Sequence, residues 1–179
     1  MNQSIEKTAL SNLITNEDYA RKVIPFLKGD YFKVKEERIL FEEIQKFIDK
    51  YKKIPTKTSL NIEIENRKDL NQDDHDKIVK LISSLDATDV DIEWLLETTE
   101  KFCKDRAIYN AIVEGVEIID GRDKKRTPDA IPDILTEALG VSFDNSVGHD
   151  YLLDGQQRFD YYHKKEEKIP FDLEFFNKI

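Results

Sequence analysis

The feature that most constrains this chain is an unbroken helical spacing of apolar residues from Ile92 to about Ile119. At ~1.5 Å rise per residue that run predicts a helix of roughly 40 Å, longer than a small helical head requires. Thr88-Asp89-Val90-Asp91 supplies capping side chains and negative charge before it, where a helix N-terminus is positive. Leu95, Leu96, Phe102 and Cys103, in its early part, suit packing on a head; Ile108, Tyr109, Ile112, Val113, Val116 and Ile119 follow in its later part. A charged turn, Gly121-Arg122-Asp123-Lys124-Lys125-Arg126, ends the run. Ile131-Pro132-Asp133 then opens a shorter helix, with Pro132 in the first turn where its missing N–H costs nothing, and with Ile134, Leu135, Ala138 and Leu139 expected inward.

These two helices read as a projecting hairpin. A two-helix hairpin cannot bury both of its apolar stripes, so it needs a partner. The candidate oligomer interface is therefore Ile108, Tyr109, Ile112, Val113, Val116 and Ile119 with Ile134, Leu135 and Leu139. Gly115 in mid-helix costs ~1 kcal/mol relative to alanine, and close approach of another backbone is one compensation.

Upstream, the same periodicity predicts five short helices. Ser4 precedes a stripe of Ile5, Ala9, Leu10, Leu13 and Ile14; Asn16 caps a second helix (Tyr19, Val23, Ile24, Phe26, Leu27) that Pro25 shortens or kinks before Gly29. A third helix carries Ile39, Leu40, Ile44, Phe47, Ile48 and Tyr51 as its buried stripe and closes at Ile54-Pro55. Thr58 or Ser59 is expected to cap a fourth (Leu60, Ile62, Ile64), and Asn71 to Asp74 starts a fifth with Ile78, Val79, Leu81, Ile82 and Leu85 inside. No segment keeps the strict alternation of a half-buried strand for long. The fold class is all-α: a small helical head, a projecting helical hairpin and a separate linker helix.

After the loop Asp144-Asn145-Ser146-Val147-Gly148-His149, Asp150 can cap a short aromatic helix. Tyr151, Leu152, Phe159 and Tyr162 give it the look of a docking helix, and Lys164 to Lys168 is a charged tether. The apolar residues beyond Ile169, Phe175 and Phe176 among them, read as the start of a further domain. The expected division is 1–104 head with the first part of the long helix, 105–143 hairpin, 144–168 linker with docking helix, and 169–179 truncated start of another domain.

Composition narrows the chemistry. With 28 basic and 37 acidic residues the net charge is −9, which argues against a large phosphate-binding surface. Cys103 is the sole cysteine, so neither an internal disulfide nor a multi-cysteine zinc site is available. The N-terminal residues lack the basic and apolar regions of a secretory signal, and no apolar run nears the ~20 residues needed to span a bilayer. A soluble cytoplasmic protein with no membrane partner is expected. None of the 6 glycines is followed by lysine, so the G-x-x-x-x-G-K-[ST] phosphate loop is absent. No catalytic residue and no metal ligand is assigned: Asp73-Asp74-His75-Asp76 reads as a polar helix start, His149-Asp150 lacks a nucleophile, and Cys103 sits on an apolar face. Arg122 to Arg126 reads as a solvated hairpin tip.

Several motifs in one order resemble the replicative helicases of T-even-like bacteriophages, within the wider DnaB-type family. They are Trp94-Leu95-Leu96-Glu97-Thr98-Thr99-Glu100-Lys101-Phe102, Arg106-Ala107, Asn110-Ala111, Ile131-Pro132-Asp133-Ile134 and Ala138-Leu139-Gly140-Val141-Ser142-Phe143-Asp144. Val147-Gly148-His149-Asp150-Tyr151, Arg158, Lys168-Ile169-Pro170-Phe171 and Asn177-Lys178-Ile179 are similar to the join between collar and motor in that family. The head matches more loosely, through Lys22-Val23-Ile24-Pro25, Tyr31-Phe32 and Ile54-Pro55-Thr56.

The resemblance implies a hexameric ring that encircles single-stranded DNA and moves 5′ to 3′. Helical heads and hairpins, paired as dimers, would form its collar. The collar would also hold the primase, with a helicase loader as a further partner, and the linker helix would dock on a neighbouring subunit. ATP and Mg²⁺ would be bound only by a RecA-like motor domain outside this chain, which itself would carry no cofactor, no ATPase activity and weak or no DNA binding. The alternative is an independent helical adaptor, such as the helicase-binding domain of a primase.

Overall fold

In a computed structural model of the chain, described for residues 4–87 and 89–143, every regular element is helical. Five helices build the head: α1 (Ile5–Thr15), α2 (Glu17–Val23), α3 (Lys35–Tyr51), α4 (Lys57–Glu65) and α5 (Gln72–Ser83). A 3-10 turn, Gly29–Tyr31, joins α2 to the segment before α3. The long helix α6 (Ile92–Ile119) follows, then a 3-10 turn (Pro128–Ala130) and α7 (Ile131–Leu139).

Local chemistry sets most of these boundaries. The side chain of Ser4 accepts from the Lys7 amide (3.3 Å), Asn16 from Tyr19 (3.0 Å), Asn71 from Asp74 (2.8 Å) and Asp91 from Trp94 (2.8 Å), each satisfying an amide that the helix leaves free. Pro25 does shorten α2, which stops at Val23. The start of α4 differs from the sequence expectation. Thr56, not Thr58 or Ser59, is the N-cap, and Ser59 instead closes a reciprocal capping box by accepting from the Thr56 amide at 2.9 Å. The long helix ends in a Schellman motif. Gly121 adopts φ +69°, its amide donates to the Ile118 carbonyl (3.1 Å), and the Arg122 amide donates to the Glu117 carbonyl (2.9 Å).

The head core gathers Leu10, Leu13, Val23, Leu40, Phe41, Ile44, Leu60, Ile64, Ile78 and Ile82, all essentially inaccessible. The Phe32 ring stacks on Phe41 (centroids 5.1 Å) and meets Phe102 at 6.1 Å, so the first half of α6 is part of that core. Leu95 and Cys103 are buried in it, and the Tyr19 hydroxyl lies 2.8 Å from the Thr99 hydroxyl. Burial pushes the Cys103 thiol up to about 12, which suits a packing residue rather than a reactive one.

Three inward assignments are corrected. Tyr51 is exposed, because the tail of α3 outruns the core; its ring packs on Phe47 (4.6 Å) under the Lys50 ammonium, while Phe41 takes a buried place in α3. Ile62 on α4 faces solvent, since Leu60 and Ile64 already supply the buried contacts of that short helix. Leu139 is exposed at the end of α7, where Ala138 points inward instead.

The second half of α6 packs against α7. Ala107, Ala111 and Gly115, four residues apart, are buried along this seam with Ile118 and with Ala138 of α7. Small residues at one helical face allow a close approach of the partner helix. The end of the hairpin returns to the head: Phe143 stacks on Phe26 (4.9 Å) and the Ser142 hydroxyl donates to Glu100 (3.2 Å). Up to Phe143 the chain is one compact unit, and 144–179 fall outside the described residues.

What covers Gly115 is a side chain rather than a backbone. A Cβ added there would sit 3.6 Å from Cγ2 of Ile131, an ordinary contact. Gly115→Ala should therefore raise stability by about 1 kcal/mol, seen as a rise of about 2–4 °C in the thermal midpoint by circular dichroism. Glu37 provides a second check. Burial, and then the neighbouring Glu6, hold its carboxyl above the usual range, with Lys7 partly offsetting them. A folded-state pKa above the unfolded value means that the ionised group destabilises the fold at neutral pH, and that this cost is lost as pH falls. Glu37→Gln should melt higher than the parent chain at pH 7, and the two midpoints should converge at about pH 4, below the unfolded carboxyl pKa.

Candidate subunit interface

Along α6 the outward face changes character halfway. In the first half it shows Glu97, Lys101 and Asp105 to solvent, with Trp94 (53%) exposed among them. Beyond that point the exposed apolar positions are Tyr109 (57%), Ile112 (54%), Val113 (41%), Val116 (49%) and Ile119 (69%), with Glu117 exposed beside them. At 100° per residue these lie within one stripe on the side away from Ala107, Ala111, Gly115 and Ile118. Neighbouring apolar side chains left open to water along one helix mark an interaction surface.

The nine residues predicted for an interface thus separate by position. Tyr109, Ile112, Val113, Val116 and Ile119 come together on the outer stripe of α6. Ile108, Ile134 and Leu135 are partly buried against the core of the same chain and hold the hairpin together. Leu139 is an exposed residue on α7 (68%). Tyr151, Leu152, Phe159 and Tyr162 of the expected docking helix lie outside the described residues.

Polar contacts fix the helix that presents the stripe. Arg106 donates from Nε to the Tyr31 carbonyl (2.8 Å) and lays its guanidinium over the Tyr109 ring (4.8 Å to the centroid), anchoring the upper end. Asn110 donates to Asp30 Oδ2 at 3.1 Å, a second tie to the head. At the lower end Arg126 pairs with both Asp123 (2.8 Å) and Glu114, which folds the tip back against α6. Hydrogen bonds to Asp123 and then Glu114 push the Arg126 pKa up; the Lys125 amide and then Arg126 hold the Asp123 carboxyl below its ordinary range. Arg122 pairs with Asp120 (2.8 Å), so two of the tip cations are already matched by acids. Sequence reasoning missed Arg106 and Asn110 as anchors, since nothing in their spacing says which head carbonyl or carboxylate they meet.

The acidic-histidine run is taken up in ion pairs at the start of α5. Asp73 pairs with Lys77 (2.7 Å), Asp74 with Lys35 (2.5 Å), and among the described residues no group of three potential ligands converges. No helix among the described residues is long and apolar enough to cross a membrane.

Residues 1–97 match the family described as the DnaB-like helicase N terminal domain. This chain belongs to that family. A "DnaB-like replicative helicase" of Enterobacteria phage T4 is 35% identical over 178 residues, covering 95% of this chain and 37% of that protein. The chain therefore spans a little over a third of the relative's length, and the similarity continues past residue 97 through α6 and α7. In this DnaB-like domain the matched region includes the head and only the start of α6, so the exposed stripe lies beyond the family match and within the match to the phage protein.

Because the stripe contributes little to the core, polar substitution there should spare the fold. Val116→Asp is expected to change the unfolding free energy by less than about 0.5 kcal/mol in dilute solution, as for an ordinary surface site. A loss of several kcal/mol in urea unfolding would instead place Val116 inside the fold.

Proposed function

We propose that this chain is a collar module of a hexameric 5′–3′ replicative DNA helicase. Its head (1–104) and hairpin (105–143) hold subunits and replication partners together. The observation that carries this reading is the outer stripe of α6, five large apolar side chains exposed on a helix whose inner face is already packed. An isologous pairing of two such helices would bury both stripes at once, as two-fold assemblies do. The T4 relative's name, a replicative helicase, supports this over a free-standing adaptor.

On this reading the motor lies in sequence beyond that of this chain. ATP and Mg²⁺ would be bound there, since no phosphate loop occurs in these 179 residues. Single-stranded DNA would pass through the assembled ring, with little contact from a domain of net charge −9. Primase and loader would dock on the collar, residues 144–168 would link it to a neighbouring subunit, and the assembly would work in the host-cell cytoplasm.

The test is self-association. The chain should sediment as a concentration-dependent oligomer, and the double variant Ile112→Glu, Val116→Glu should run as a monomer with an unchanged far-ultraviolet circular dichroism spectrum. Two buried-interface charges repelling their own symmetry mates should weaken pairing at least 100-fold, about 2.7 kcal/mol. A parent chain that stays monomeric at high concentration, or a variant that assembles as the parent does, overturns the interface.

A further inference from the structure

The exposed stripe of α6 is symmetric along its own axis. Tyr109, Ile112, Val116 and Ile119 are spaced by three, four and three residues, so the series reads alike from either end about Glu114. Given the pairing of α6 helices proposed above, that spacing selects a direction and a register. In an antiparallel two-fold pair centred on Glu114, Tyr109 meets Ile119 of the second copy and Ile112 meets its Val116, while the reverse contacts form by symmetry. Val113 lies to one side of the centre.

The same symmetry says what lies beyond the apolar contact. One turn before Tyr109 the outward face continues with Asp105, and one turn after Ile119 the chain has entered the tip, Gly121 to Arg126. Asp105 stands about 14 Å along the helix from the centre of the pair, level with the tip of the second copy. Asp105 is exposed and forms no ion pair among the described residues; the same holds for Lys124 and Lys125 at the tip. The other two tip cations are matched within the chain, Arg122 by Asp120 and Arg126 by Asp123 and Glu114. Further out on the Asp105 face, Lys101 and Glu97 offset one another in charge. Each end of the pair thus brings an unmatched carboxylate opposite two unmatched ammonium groups.

We propose that two copies of this chain pair with their α6 helices antiparallel about Glu114, and that Lys124 and Lys125 of each tip clamp Asp105 of the other copy. The apolar stripe supplies the contact area, and the charges at its ends fix direction and register, as flanking charges do between paired helices. A parallel pair would set Asp105 against Asp105 and the tip lysines against each other. One exposed ion pair contributes little, but the two-fold axis makes each of them occur twice.

A charge swap between copies of the 179-residue chain tests this, with dissociation constants from sedimentation. Asp105→Lys should weaken pairing about tenfold, because a weak attraction becomes a repulsion at both ends; Lys124→Glu, Lys125→Glu should do the same. Mixed in equal amounts, the two variants should form a mixed pair as tight as the parent pair. There the new lysine faces the new glutamates at one end, and the native aspartate faces the native lysines at the other. The parent should also dissociate several-fold more readily as salt rises from about 0.05 M to about 0.5 M, since exposed charges are screened. All the substituted positions are exposed, so the variants should melt as the parent does; if one misfolds, the other and the salt series decide. Variants that each assemble as tightly as an assembling parent, a mixture no tighter than its components, or salt-independent pairing overturns the clamp and leaves the apolar pairing standing. A parent that stays monomeric overturns both.

Discussion

The structure depends on the close seam between α6 and α7. Ala107, Ala111 and Gly115 recur every fourth residue of α6, and with Ala138 opposite they let the two helices approach without bulky side chains between them. Leucine at these positions would hold the two helices further apart. The large apolar residues of this half of α6 lie on the opposite side of the helix. Tyr109, Ile112, Val113, Val116 and Ile119 are exposed because nothing in the described part of the chain packs over that side.

The first half of α6 works differently. There Leu95, Thr99, Phe102 and Cys103 enter the head core, and the outer face carries Glu97, Lys101 and Asp105 beside Trp94. One continuous helix thus serves as a core element at one end and as a presenting surface at the other. Backbone hydrogen bonding along 28 residues couples the two ends mechanically. Arg106 and Asn110 mark the changeover, each tied to the Asp30–Tyr31 backbone or side chains at the edge of the head. Membership of the DnaB-like helicase N-terminal domain family accords with this plan, and the phage relative extends the likeness through the hairpin.

Much of the architecture was legible from residue spacing. The bounds of α6, the five-helix head, the caps at Ser4, Asn16 and Asn71, and the stop after Ile119 all follow from interactions within one turn of helix, which neighbouring residues settle between themselves. The departures lie where contacts beyond the local repeat decide. Thr56 displaced Thr58 and Ser59 as the cap because a reciprocal pair with Ser59 satisfies two groups at once. Tyr51 and Leu139 are exposed because a helical repeat continues past the point where the core ends, and Ile62 because a step of two residues puts it on the opposite face of α4 from Leu60 and Ile64. Of the candidate interface, the sequence offered nine apolar residues without saying which of them the hairpin itself consumes.

The sequence by itself determined that the chain is helical, where its long helix runs, that it lacks a phosphate loop, and that the hairpin carries more apolar surface than two helices can bury. These are properties of periodicity and composition, and they need no knowledge of what lies across from a side chain. Only the tertiary structure decided which face is spent. It placed Ile108, Ile134 and Leu135 in contact with the chain's own core and left the α6 stripe open. Those outcomes depend on how closely two helices approach, and that distance is set by the volumes of residues far apart in sequence.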